Sequence, residues 1–166
     1  MAKITLKGNP VNTSGNLPAT GAKAPDFKLT KTDLADVTMK DFAGKKLVIN
    51  IFPSVDTAVC AMSVRRFNAD VTKIPNTVCL CVSLDLPFAH KRFCAAEGIE
   101  NVVMATELRD RSFGADYGVR MTDGPLAGLF SRAVVVVDEK GIVIHTQQVP
   151  DITQEPDYDA ALKSLR

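Results

Sequence analysis

The run Leu47-Val-Ile-Asn-Ile-Phe52, closed by Pro53, constrains the fold more than any other part of the chain. It is short, almost wholly apolar and rich in β-branched residues, which suits a buried strand better than a helix. Pro53 ends it, since proline has no N–H to give to a sheet ladder. Two more runs share the character: Val78-Cys-Leu-Cys-Val82 and Ala133-Val-Val-Val-Val137. The last stops at the turn signal Asp138-Glu-Lys-Gly141 and is followed by Ile142-Val-Ile144, which predicts a hairpin.

Between the first two runs, residues 57 to 71 interleave Ala58, Val59, Met62, Val64 and Phe67 with Arg65, Arg66, Asn68 and Asp70, which predicts an amphipathic helix capped by Asp56 or Thr57. Further helical segments are expected at about 88–97, 111–117 and 157–165, the last opened by Pro156. Strand, helix, strand, helix, hairpin and closing helix make an α/β chain with a central mixed sheet flanked by helices on both faces. Residues 1–25 carry Gly8-Asn-Pro10 and Ser14-Gly15-Asn16 between short alternating stretches and read as an N-terminal β-hairpin or arm. No linker or repeat interrupts the rest, so one domain over 1–166 is expected.

Charge excludes some functions. Twenty basic and 19 acidic side chains nearly cancel, and no basic stripe offers an electrostatic footprint for nucleic acid. No apolar stretch approaches the ~18 residues of a membrane span, and the N-terminus lacks a secretory pattern, so a cytoplasmic protein is expected. Persistent disulfides are rare in that compartment, and Cys60, Cys79, Cys81 and Cys94 need another explanation.

Cys60 stands where the predicted central strand has passed through the loop Phe52-Pro-Ser-Val-Asp-Thr57 into the first turn of a helix. Ligands of open sheets bind beyond the carboxyl ends of strands, and open N–H groups at a helix start favour thiolate over thiol. A depressed Cys60 pKa is therefore expected. Thr57 lies three residues earlier, on the same helical face, with its hydroxyl within reach of the sulfur and of an oxygen that the sulfur attacks. Pro53 can hold the loop and shield the thiolate. An arginine would complete such a site by stabilising the developing oxyanion.

The spacing Pro53-x-x-x-Thr57-x-x-Cys60 resembles the active-site signature of the peroxiredoxins, and the string from Asn50 to Asn68 resembles their bacterial thiol peroxidase subfamily, of the atypical two-cysteine type. The likeness continues through Gly8-Asn-Pro10, Asp85-Leu-Pro-Phe-Ala89, Arg92-Phe-Cys94, Asp123-Gly-Pro-Leu126, Arg132-Ala-Val-Val-Val136 and Glu155-Pro-Asp-Tyr158. It implies a thioredoxin-like fold, Cys60 as peroxidatic cysteine in a pocket shaped by Pro53 and Thr57, activation by Arg132, and Cys94 as resolving cysteine. It also implies a homodimer and a cycle in which Cys60 reduces hydrogen peroxide or an alkyl hydroperoxide, becomes a sulfenic acid and condenses with Cys94. Thioredoxin would reopen that disulfide, with electrons from thioredoxin reductase and NADPH and no bound cofactor. Cys60 and Cys94 fall in separate predicted helices, so local unwinding is expected before they bond.

Other residues read more plainly. Cys79 and Cys81 share one face of a strand and read as core. His90 and His145 have no partner at metal-binding spacing, so no metal is expected, and His90 beside Lys91 and Arg92 reads as a solvated helix face. A thiol–disulfide oxidoreductase would want Cys-x-x-Cys, and a glutathione-peroxidase-like enzyme a tryptophan; both are absent. A peroxide-sensing protein without turnover is the remaining alternative.

Overall fold

The computed structural model describes residues 2–166, so Met1 of the expected arm lies outside the described residues. The central run forms β5 (Lys46–Ile51), inside a seven-stranded sheet. The strands are β3 (Lys28–Lys31), β4 (Asp36–Thr38), β5, β6 (Thr77–Ser83), β7 (Val102–Thr106), β8 (Ala133–Val137) and β9 (Val143–Gln148), in the order β4-β3-β7-β6-β5-β8-β9. β5, β6 and β7 are parallel, while β8 and β9 are antiparallel additions on one side and β3 and β4 on the other. A mixed sheet follows, as expected. The β8–β9 hairpin forms where the Asp138–Gly141 turn predicts it, with Asp138 accepting from the N–H of Lys140 and of Ile142.

Alternation along the buried strands divides the core in two. Val48, Cys79, Cys81, Val134 and Val136 face α1 (Ala58–Asp70), α2 (Pro87–Glu97) and α4 (Tyr158–Lys163), meeting Val64, Phe67, Phe93, Tyr158 and Leu162. Leu47, Ile49, Ile51, Leu80, Val82, Val135 and Val137 face the other way, onto Phe27, Phe42, Phe113, Tyr117 and Phe130. The parallel crossovers β5-α1-β6 and β6-α2-β7 step in the same direction across the sheet, and α1 and α2 pack on the same face, as a common hand for both requires. Helices on both faces were expected; the second face carries only the single turn α3 (Phe113–Asp116) together with loops and a 3-10 turn at Met39–Phe42.

Two local expectations need correction, and three strands were missed. The buried face of α1 is Cys60, Ala61, Val64 and Phe67, while Met62 points outward at 42% exposure. α4 begins after Pro156, with Asp157 as N-cap accepting from the Ala160 N–H, so the proline precedes the helix instead of opening it. β3, β4 and β7 were not anticipated; Lys28-Leu-Thr-Lys31 and Asp36-Val-Thr38 are too polar and short to register as strands alone.

The arm is a hairpin of β1 (Lys3–Leu6) and β2 (Asn9–Asn12). Ile4 and Val11 pack on Met121 and Ile152, and Asp151 accepts from the Thr5 hydroxyl (2.6 Å) and the Gly8 N–H (3.1 Å). The hairpin is thereby fastened to the segment after β9.

Candidate active site

Register brings the site together. Ile51 pairs with Ala133 on β8 and with Val82 on β6, so Phe52 and Pro53 leave β5 between Arg132, which precedes β8, and Ser83, which ends β6. Sequence separations of about 30 and 80 residues are closed by two ladders running in opposite senses. A cavity of about 200 Å³ opens there, lined by Pro53, Ser54, Thr57, Ala58, Val59 and Arg132, with Leu6, Leu126, Leu129 and Ile152 as an apolar wall. The N-terminal hairpin thus supplies part of the site through Leu6.

Thr57 is the N-cap of α1, as one of the two expected alternatives; the other, Asp56, is exposed and pairs with Arg92 (3.5 Å). The Thr57 hydroxyl does not cap the helix. It donates to the Ser54 carbonyl (3.1 Å), which leaves its lone pairs as acceptors and the first-turn N–H groups open. The first helical bond is Ala61 N–H to the Thr57 carbonyl (3.0 Å), so Cys60 lies in the open turn. Cys60 is fully buried, and the residues immediately before it line the cavity. Behind it Asn50 donates to the Ser63 hydroxyl (3.1 Å), which donates to the Cys60 carbonyl (2.8 Å).

Arg132 is 2% exposed. Its Nε donates to the Ile152 carbonyl (2.9 Å), while one terminal guanidinium nitrogen is buried with no partner. An unsatisfied buried donor on a permanently charged group is costly, and such groups concentrate where a ligand completes them. Pro53, Thr57 and Arg132 therefore line one cavity, with Ala58 and Val59, the two residues that precede the buried Cys60.

Cys94 is not brought to them. It is a half-buried free thiol on α2, lining a different cavity with Lys91, Ile99 and Val102–Met104. Burial, and secondarily the Cys81 thiol, raise its pKa to about 11. Cys79 and Cys81 are fully buried, 3.8 Å apart through sulfur, and core packing accounts for them; burial and its neighbour push Cys79 well up.

His90 contradicts the sequence reading. It is fully buried, because Pro87, His90 and Phe93 fall three apart on the inward face of α2 and the flanking Lys91 and Arg92 point out. Its Nε2 lies 2.8 Å from the Ser83 hydroxyl and 3.7 Å from the Asp85 carboxylate. Asp85 accepts from Ser83 (2.5 Å), the Ser54 hydroxyl (2.8 Å) and the Val55 N–H (2.9 Å). Burial pushes its carboxyl up, but the His90 ring beside it and the bonds from Ser83, Val55 and Ser54 outweigh that and hold it at about 2. Asp85 is thus more than the strand-to-helix turn it could be taken for. The signal in the sequence was the three-residue spacing of α2. Among the described residues no group of three or more His, Cys, Asp or Glu is placed to hold a metal ion, and no helix is long and apolar enough to cross a membrane.

A family model described as Redoxin matches residues 19–162. Thiol peroxidases of Mycobacterium tuberculosis and Mycobacterium bovis are each 57% identical to the chain over 165 residues, 99% of both sequences. The chain belongs to the Redoxin family, among its bacterial thiol peroxidases. A peroxiredoxin-like protein from Aquifex aeolicus superposes with a TM-score of 0.93 at 36% identity, covering 99% of this chain and 96% of that one. A thiol peroxidase from Chromobacterium violaceum does so at 0.91 and 24% identity, over 98% and 94%, a likeness of fold. As a Redoxin-family thiol peroxidase the chain is an oxidoreductase that reduces peroxide through a thiol.

Proposed function

We propose that the protein, as one thioredoxin-like domain over residues 1–166, reduces hydrogen peroxide and organic hydroperoxides through a Cys60 sulfenic acid and a Cys60–Cys94 disulfide reopened by thioredoxin. The observation that carries this reading is the Arg132 guanidinium, buried with an unpartnered nitrogen in the wall of the cavity that Pro53 and Thr57 also line. A hydroperoxide O–H can donate to Thr57 Oγ1, whose own proton is engaged by Ser54. The Cys60 thiolate attacks that same hydroxyl-bearing oxygen, the O–O bond breaks, sulfur is oxidised by two electrons to a sulfenic acid, and the other oxygen departs as alcohol or water after taking a proton. Arg132 stabilises the charge that develops on it.

Leu6, Leu126, Leu129 and Ile152 favour hydroperoxides with an apolar body. The Cys94 thiol then displaces hydroxide from the sulfenic sulfur; a disulfide forms and water is released. Because Cys94 lines a different cavity, α2 unwinds locally before bonding. Thioredoxin, fed by thioredoxin reductase and NADPH, restores the dithiol, and no bound cofactor takes part. A cytoplasmic homodimer is the expected setting.

The test is peroxide-dependent NADPH oxidation with thioredoxin and its reductase, for wild type, Cys60→Ser and Cys94→Ser. Cys60→Ser should be inactive and Cys94→Ser should fail to cycle with thioredoxin. Full turnover by Cys60→Ser would end the proposal.

A further inference from the structure

His90 is a fully buried titratable group that lines none of the cavity at Thr57 and Arg132, and it sits one helical turn before Cys94. Donor and acceptor counting assigns its role. Ser83 Oγ lies 2.5 Å from the Asp85 carboxylate, which can only accept, so the hydroxyl proton points there. The same oxygen then accepts from the Asp85 N–H (3.2 Å) and from His90 Nε2–H (2.8 Å). Nε2 therefore carries a proton, and Nδ1 is buried without a partner.

From Asp85 the chain of bonds runs into the peroxidatic loop. The carboxylate takes the Ser54 hydroxyl and the Val55 N–H; Ser54 Oγ takes the Asp56 N–H (3.1 Å), and the Ser54 carbonyl takes the Thr57 hydroxyl. The residues between Pro53 and Thr57 are thus held from α2, the helix that carries Cys94. Besides the shared apolar core and this buried line, the exposed pairs Arg92–Asp56 and Arg65–Glu97 tie α2 to the loop and to α1, and they contribute little in water.

We propose that Ser83, Asp85 and His90 form a clasp between the Cys60 loop and α2, with Asp85 and His90 acting as positioning residues whose release accompanies formation of the Cys60–Cys94 disulfide. The proposal rests on the two-cysteine cycle above. When α2 unwinds to free Cys94, His90 leaves with it, Asp85 loses its charge-stabilising neighbour, and the Ser54–Thr57 loop loosens at the same moment. Closed, the clasp holds Thr57 and the first turn of α1 in the geometry that peroxide needs. Open, it exposes both thiols. The unpartnered Nδ1 favours opening, because water can reach it only then. One set of bonds therefore trades the rate of the first step against the second, and a sulfenic acid held too long by a closed clasp meets a second hydroperoxide, which oxidises it to sulfinic acid and leaves as alcohol or water.

The experiment uses the full chain and hydrogen peroxide, with rapid quenching, thiol alkylation and mass spectrometry to follow thiol, sulfenic acid, disulfide and sulfinic acid separately. His90→Phe keeps a ring and removes the donor, and His90→Gln restores an N–H donor. Ser83→Ala is the smallest cut, used if His90→Phe does not fold. Breaking the clasp should slow the peroxide step about tenfold or more, since small misplacements at a reacting centre carry penalties of that order. It should also speed conversion of sulfenic acid to disulfide and raise the peroxide concentration at which sulfinic acid appears. His90→Gln should return both towards wild type. Opposite movement of the two steps is something general destabilisation would not produce. Unchanged rates, or both steps slowing together, would overturn the clasp. Absence of a Cys60–Cys94 disulfide in the oxidised wild type would instead overturn the two-cysteine cycle, and the clasp with it as far as resolution is concerned.

Discussion

Replacing Arg132 by methionine should abolish most of the activity while leaving the fold as stable as before, or more so. Arg132 is 2% exposed, makes one hydrogen bond from Nε to the Ile152 carbonyl, and leaves a terminal nitrogen buried and unpaired. A bond from a charged donor contributes about 1.5–3 kcal/mol. Against it stands the desolvation of a guanidinium, several kcal/mol per ion, which one bond does not offset. Methionine has a similar reach and no polar atom, and exchanging buried ionic groups for apolar ones of like volume is often neutral or stabilising by about 1–4 kcal/mol. For catalysis the sign reverses. One preorganised donor aimed at a developing oxyanion is typically worth about 3–4 kcal/mol, or a 10²–10³-fold loss in kcat/KM when removed. Urea titration should give an unchanged slope and a midpoint equal to or above wild type, with the kinetic loss measured in the thioredoxin-coupled assay. A loss of activity under about tenfold, or a fall in stability beyond about 2 kcal/mol, would refute the reasoning and make Arg132 a structural residue.

Cys94→Ser should keep the first peroxide step within about threefold and accumulate Cys60 sulfinic acid under excess peroxide, read by mass spectrometry. Leu6→Ala should lower kcat/KM for a bulky alkyl hydroperoxide by about tenfold and leave hydrogen peroxide almost unaffected, because only the larger substrate reaches that wall. The Asp85 carboxyl is held near 2, below the ~3.9 of an unfolded chain, so it contributes stability above about pH 4 that disappears as pH falls towards 2. With its side chain 11% exposed, that contribution is on the order of 2 kcal/mol, and Asp85→Asn should differ from wild type by about that much near neutral pH and converge with it at the acid end of a urea series. Phe67→Ala, emptying a fully buried site where the ring meets Tyr158 edge-on at 5.3 Å, should cost about 3–5 kcal/mol by denaturant unfolding.

The sequence made the sheet's interior legible because β5, β6 and β8 are buried on both faces and have no choice but to be apolar. It hid β3 and β4, which are short and polar, and β7, on which β3 pairs from more than 70 residues away. In the site, Cys60, Thr57 and Pro53 were readable because they sit within one turn of a strand-to-helix junction. Arg132 came from resemblance alone, and its reason is the antiparallel register of Ile51 with Ala133, which no local pattern encodes. His90 was misread for the same kind of reason: the charges beside it described the outer face of α2, and the buried partners that make it polar inside, Ser83 and Asp85, lie on another element.

Burial of Cys60 sets a constraint that the architecture answers at one end of the central strands. A thiol that is fully buried in the core of α1 is protected from adventitious oxidants and held in fixed geometry, yet the same burial keeps it from Cys94 and from any protein reductant. In the proposed cycle a single rigid conformation therefore serves the peroxide step and blocks the others. The elements meeting at the carboxyl ends of β5 and β6 divide accordingly. Arg132 is anchored to the segment after β9, which the N-terminal hairpin fastens through Thr5 and Asp151, so it stays in place whatever α2 does. Ser54 to Thr57 are tied instead to Asp85 and through it to α2. In the proposed cycle the oxyanion donor thus belongs to the fixed half of the site and the Cys60 loop to the half that moves, so the loop would open for disulfide formation and close again on an arginine that has not shifted.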